Sequence, residues 1–101
     1  MDYQLTEVGG APTYRFAGRW TFKDHGQAAG IAKDVGAMQA GRCVLDLTDL
    51  QFIDSAGLGM LLMVKEATKG RDVDIVLRGV ADNVRSIMTL AKFDTLFTIE
   101  A

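Results

Sequence analysis

The pair Asp54-Ser55, followed at short spacing by Gly57 and Gly59, is where residue types and positions could do chemistry. A serine at the start of a helix has unpaired backbone N–H groups beside it, and the small neighbours Ala56 and Gly57 leave its hydroxyl accessible. Such a hydroxyl can carry a phosphate. A phosphoserine adds about −1.5 to −2 charges at neutral pH, and a helix start favours an anion by roughly 0.3 to 1 kcal/mol, so the fold should tolerate the mark. Beside Asp54, however, the phosphate would create a concentrated negative patch, and burying that patch in an interface without a cation is unfavourable. Binding would be lost while structure is kept. The same residues also read as a plain N-cap serine with packing glycines, which is the commoner use of serine at such a place.

Other chemistry-bearing residues give weaker patterns. Asp24, His25 and Ser55 do not make a hydrolase triad, because nothing places them together and no Gly-x-Ser-x-Gly elbow occurs. Neither phosphate-loop pattern is present, so the glycine pairs read as turns. The single cysteine, Cys43, lies in an apolar run and reads as a small buried hydrophobe; with His25 as the other soft ligand, no zinc site is expected. Asp46 and Asp49 are too few for a metal and should accept hydrogen bonds from loop donors. Trp20 and Phe22 read as core or lid, and Met60, Met63 and Met88 as gap-fillers. No cofactor and no metal are expected.

These residues must be positioned by a small fold. The chain has 101 residues, of which 49% are hydrophobic and 24% charged, with one proline, the composition of one globular domain spanning 1–101. Eleven basic against thirteen acidic side chains give a net charge of −2 without a basic cluster, which argues against nucleic acid as a partner. The longest uncharged stretch, Ser55 to Val64, is ten residues, about half of what a membrane-spanning helix needs, so no membrane insertion is expected. The first residues lack the positive flank and apolar run of a secretory signal, giving a cytoplasmic expectation.

The element order reads β-β-α-β-α-β-α-β. Tyr3, Leu5 and Glu7 before Gly9-Gly10, then Tyr14 and Phe16 alternating with polar residues, predict an N-terminal hairpin whose second strand ends at Gly18. Thr21 to Asp24 has capping-box spacing and introduces a helix with Ala28, Ile31, Ala32, Val35 and Met38 on its apolar face. Arg42 to Leu47 reads as a central strand buried on both faces, followed by a loop from Thr48 to Ser55 and a helix to about Lys69. Val73 to Leu77, a helix from Asp82 with Val84, Ile87, Met88 and Ala91 inward, and a closing strand Phe97 to Ile99 complete the chain. Helical crossovers imply an α/β fold: a single layer of mainly parallel sheet, an antiparallel hairpin at its edge, and helices packed against it. On a helical wheel Met60, Leu61, Val64 and Ala67 share one face, while Leu58 and Leu62 fall among Lys65, Glu66 and Lys69. Those two leucines, beside Ser55, read either as an exposed docking patch or as residues covered by a loop or by the first helix.

The run Val44 to Leu62, VLDLTDLQFIDSAGLGMLL, resembles the signature of STAS domains, the sulfate-transporter and anti-sigma-factor-antagonist family. Gly18-Arg19-Trp20, Gly79-Val80, Leu90-Ala91-Lys92-Phe93 and Leu96-Phe97 extend the resemblance over nearly the whole chain; the D-S-x-G-L-G core is its specific part. The resemblance implies a bacterial regulatory module without catalytic activity, phosphorylated on the serine matching Ser55. Its partners would be an anti-sigma factor that is a serine kinase, bound by the unphosphorylated form, and a serine phosphatase. Partner contacts would come from Thr21, Asp54, Ser55, Ala56, Gly57, Leu58 and Leu62. Antagonist members often carry an aspartate shortly after the early glycine, where this chain has Thr21, with Asp24 further on. Two other readings fit the same residues: a constitutive docking subunit on a transporter ATPase or signalling complex, and a sensor holding a nucleotide or acyl group near the second helix's N-terminus.

Overall fold

The computed structural model describes residues 1–100, apart from the side chain of Ala40. Its elements follow the expected order: β1 (Asp2–Val8), β2 (Ala11–Trp20), α1 (His25–Gly36), β3 (Ala40–Ile53), α2 (Ser55–Ala67), β4 (Asp72–Arg78), α3 (Asp82–Leu90) and β5 (Thr98–Glu100). Short 3-10 turns at Phe22–Asp24 and Phe93–Thr95 precede α1 and β5. The five strands lie in the order β1-β2-β3-β4-β5; β1 and β2 are antiparallel, and every other pair is parallel.

One core holds the layers together. Alternation along β3 and β4 sends Cys43, Leu45, Leu47, Val73, Ile75 and Leu77 to one face, where they join Ala28, Ile31 and Val35 of α1, Leu61 and Val64 of α2, and Val84 and Met88 of α3. The intervening residues Val44 and Val76 face the other way and stand opposite each other in the β3–β4 register; both are buried as well. The expected burial of the central strand on both faces thus holds only at its middle, since on the far face Val44 is flanked by the exposed Arg42 and the half-buried Asp46.

Three boundaries differ from the sequence reading, each for a local reason. Gly18 does not end β2: its φ of +87° lies beside one of two register shifts against β3, so it bends the strand, which runs on to Trp20. β3 continues through the segment expected to be a loop, because Ala17, Gly18, Arg19 and Trp20 pair with Asp49, Leu50, Phe52 and Ile53. Beyond Asp46 it has no β4 partner on its other side, and that one-sided environment accommodates the exposed Thr48, Asp49 and Gln51. The closing strand begins one residue later than expected, Phe97 being buried in the core ahead of it, and Ala91 lies exposed beyond α3.

Candidate functional site

The end of β3 delivers the chain directly into α2. Asp54 donates its N–H to the Trp20 carbonyl at 3.2 Å, tying the helix start to the end of β2. Its backbone is extended, and its carboxylate Oδ1 accepts the Gly57 N–H at 2.7 Å. Asp54 is thus the N-cap, and Ser55 is the first helical residue. This corrects the reading of Ser55 as a cap: the carboxylate one position earlier occupies that place. The Ser55 side chain is exposed, and its hydroxyl makes no hydrogen bond among the described residues.

The neighbours of Ser55 divide into packing and surface. A Cβ on Gly57 would come within 2.6 Å of Ile53 Cγ1 and 2.8 Å of the Trp20 carbonyl oxygen, so this glycine lets α2 lie close on the sheet. That close approach serves the packing of α2 on the sheet. Leu58 is 9% exposed and belongs to the core, which corrects the outward placement from the wheel; Leu62 is half-buried. The wheel assumed one buried stripe, but α2 is packed against both the sheet and α1, and a deeply seated helix buries a wider arc. What remains at the surface is Ser55 and Gly59, with Ala56 and Leu62 partly exposed, and a Cβ on Gly59 would meet open space.

Thr21 and Asp54 line one concavity, together with Arg19, Phe22, Lys23 and Phe52. The capping box read from the sequence is present: the Thr21 hydroxyl accepts the Lys23 N–H at 3.4 Å, and the Asp24 carboxylate accepts the Thr21 N–H at 2.8 Å. Asp24 also accepts from the amino group of Met1 at 2.6 Å. Burial by itself would raise the Asp24 pKa, but the ammonium and the Thr21 N–H outweigh it and hold the carboxyl below the usual range. Thr21 and Asp54 thus line one surface, while Leu58 and Gly57 lie beneath it.

Sequence reasoning missed the aromatic part of that surface. Trp20 is fully buried, its indole N–H donating to Met60 Sδ at 3.1 Å, whereas Phe22 is 67% exposed. Arg19 lies over the Phe52 ring at 4.3 Å from its centroid. Alternation from Trp20 inward placed Arg19 and Thr21 outward and could have flagged them; nothing local distinguishes Phe22 from a core aromatic. Asp46 accepts the Thr48 N–H as expected, but Asp49 pairs with Arg15 at 3.1 Å instead of a loop donor. Among the described residues no group of three or more His, Cys, Asp or Glu could hold a metal ion, and no helix is long and apolar enough to cross a membrane.

Comparison with known proteins places this arrangement. A family model described as "Mlab, STAS domain" matches residues 4–99. A STAS-domain containing protein of Pseudomonas aeruginosa (strain UCBPP-PA14) is 33% identical over 87 residues, covering 86% of this chain and 85% of its own. In structure the chain resembles an anti-sigma-factor antagonist (STAS) domain protein from Planctomyces limnophilus, with a TM-score of 0.84 at 16% identity over 98% of this chain and 89% of that one. It also resembles the anti-sigma factor antagonist SpoIIAA in its unphosphorylated form, with a TM-score of 0.74 at 18% identity over 99% and 88% of the two chains. A strand ending at Ile53, an Asp54 cap, a helix opening on Ser55 and a match along almost the whole length agree: the chain belongs to the STAS domain family.

Proposed function

We propose that this protein is an anti-sigma-factor antagonist, a cytoplasmic binding module without catalytic activity that works by partner switching. Its unphosphorylated form engages an anti-sigma factor that is itself a serine kinase; phosphorylation of Ser55 releases it, and a serine phosphatase restores binding. The observation that carries the reading is the division of labour at the α2 start. Asp54 supplies the cap, so the Ser55 hydroxyl has no structural task and stands exposed on a rigid helix. The exposed residues around it, Gly59 with parts of Ala56 and Leu62, permit close approach of a partner, and Asp54 joins them to the concavity that Thr21 lines at the end of β2. A phosphate there would add charge at the centre of that contact, where desolvation is costly. The likeness to SpoIIAA, whose phosphorylated form has a TM-score of 0.71 at 18% identity over 99% of this chain and 92% of that one, supports the proposal.

A second reading is constitutive docking on a transporter or signalling assembly. It is favoured by the matching family model and by similarity to a sulfate transporter family protein from Wolinella succinogenes, with a TM-score of 0.71 at 20% identity over 90% and 75% of the chains. One experiment separates the two. Wild type, Ser55→Ala and Ser55→Asp serve as parallel baits in native lysate. Partner switching requires an ATP-binding anti-sigma kinase to be retained by wild type and Ser55→Ala and lost with Ser55→Asp. Retention of one partner by all three baits would refute switching and leave constitutive docking.

A further inference from the structure

The two edges of the sheet are built differently. β5 is three residues long, and its Glu100 is held by Arg78 at 3.2 Å and Arg42 at 3.7 Å, so that edge is both short and guarded by charge. β1 has seven residues, all exposed, and pairs with β2 from Asp2↔Ala17 to Val8↔Ala11 without a register shift. Its outer side therefore presents an unbroken row of backbone donors and acceptors. The segment DYQLTEV contains no lysine, arginine or proline and carries no bulge; its two charges, Asp2 and Glu7, lie toward its ends, so the stretch Tyr3 to Thr6 has no charge to block edge pairing. Tyr3 and Leu5 stand opposite Phe16 and Tyr14 on the helix-bearing face, yet remain 38% and 54% exposed because the helices do not cover this strand.

We propose that β1 pairs antiparallel with β1 of a second copy of this chain, joining two sheets into one across a two-fold axis at Leu5. The self-complementarity of the strand about Leu5 selects this occupant and this register. A two-fold axis perpendicular to the sheet places Leu5 against Leu5, Tyr3 against Glu7, Gln4 against Thr6 and Asp2 against Val8, with no like charges opposed. The Glu7 carboxylate is then placed to accept from the Tyr3 hydroxyl of the second copy. A shift of one residue would set Asp2 against Glu7 and violate the pleat, and a shift of two would shorten the ladder. Ser55 itself lies beyond the end of β3, two strands away from β1, so pairing leaves its hydroxyl exposed in both copies.

Sedimentation equilibrium of the full chain between about 10 µM and about 1 mM tests the proposal. A concentration-dependent dimer is expected, and Leu5→Lys, which opposes two cations at the axis, should return it to monomer, with a melting curve matching wild type at concentrations where wild type is itself monomeric. Cysteine scanning fixes the register independently of stability. Directly opposed residues have Cα atoms about 4.5 to 5.5 Å apart, within disulfide range, whereas two copies of Val8 would be about 20 Å apart. Leu5→Cys should therefore cross-link on mild oxidation and Val8→Cys should not; the native Cys43 is buried and does not compete. A wild type that stays monomeric throughout, a dimer that survives Leu5→Lys, or cross-linking at Val8→Cys but not Leu5→Cys would overturn it.

Discussion

Adjacent residues at the α2 start have separable tasks, and the separation can be measured. Removing the cap in Asp54→Ala should cost about 0.5 to 2 kcal/mol in urea denaturation, because the Gly57 N–H loses its acceptor. Ser55→Ala removes a hydroxyl with no hydrogen bond among the described residues, so its midpoint should stay with wild type. The reverse ranking would make Ser55 the structural residue and take away the basis for its being free. The glycines two and four positions on form a similar contrast. Gly57→Ala forces a methyl against Ile53 and the Trp20 carbonyl and should destabilise by about 1 to 3 kcal/mol, since overpacked sites relax only partly. Gly59→Ala points into open space and should stabilise by up to about 1 kcal/mol through helix propensity alone. A Gly57→Ala variant as stable as wild type would mean that α2 can lift off the sheet. Much of this site was legible from residue types: an acid, a serine and small residues at a strand-to-helix junction. Which of Asp54 and Ser55 caps was not, because both are good caps and the choice depends on where β3 releases the chain. Leu58 misled for a related reason, its burial being set by α1 and the sheet together and not by the periodicity of α2.

At the scale of elements, apolar runs located the central strands, and turn residues were the weaker guide. Val73 to Leu77 and the Cys43 to Leu47 run pair with each other, with one face in the core and Val44 and Val76 buried on the other. Gly18 was misleading, since a glycine with positive φ can bend a strand as readily as end one, and the distinction lies in β3 pairing some thirty residues away. The buried faces of β2 and β3 also govern behaviour at high pH. Burial pushes the Cys43 thiol up to about 11, and burial, with lesser contributions from Asp34, Cys43 and Tyr3, pushes the Tyr14 hydroxyl up to about 12. Both groups are held in their protonated forms by the fold. The stability they contribute is fully present below their ordinary values of 9.0 and 10.0, and it is lost as pH rises through the folded values. The melting temperature should therefore be flat from neutral pH to about 9 and fall steadily above it. In the same protein Cys43 should resist thiol reagents until denaturant unfolds the chain. Rapid labelling of Cys43 under native conditions, or a melting temperature unchanged at high pH, would contradict this account of the core.

For the molecule as a whole, the question is whether a charge at Ser55 acts on the fold or only on what touches it. Ser55 sits in the first turn of α2, where the unpaired N–H groups and the helix dipole favour an anion by about 0.3 to 1 kcal/mol. Its surroundings are solvent on one side and a cap already satisfied on the other, so no buried group has to move to accept the charge. The net charge of the chain is −2, and one further negative charge adds little self-repulsion to a domain of this size. Ser55→Asp should accordingly melt at or a few degrees above the wild-type temperature, given that about 1 kcal/mol moves the midpoint of a domain near 100 residues by roughly 4 to 8 °C. Its amide hydrogen exchange should match wild type outside the first turn of α2. If that holds while partner binding is lost, the effect of the charge is confined to the contact surface, and the protein is a switch whose two states share one fold. If Ser55→Asp melts far below wild type, or loosens β3 and α2 in exchange, loss of binding would reflect unfolding, and the case for a charge-gated surface would fall with it.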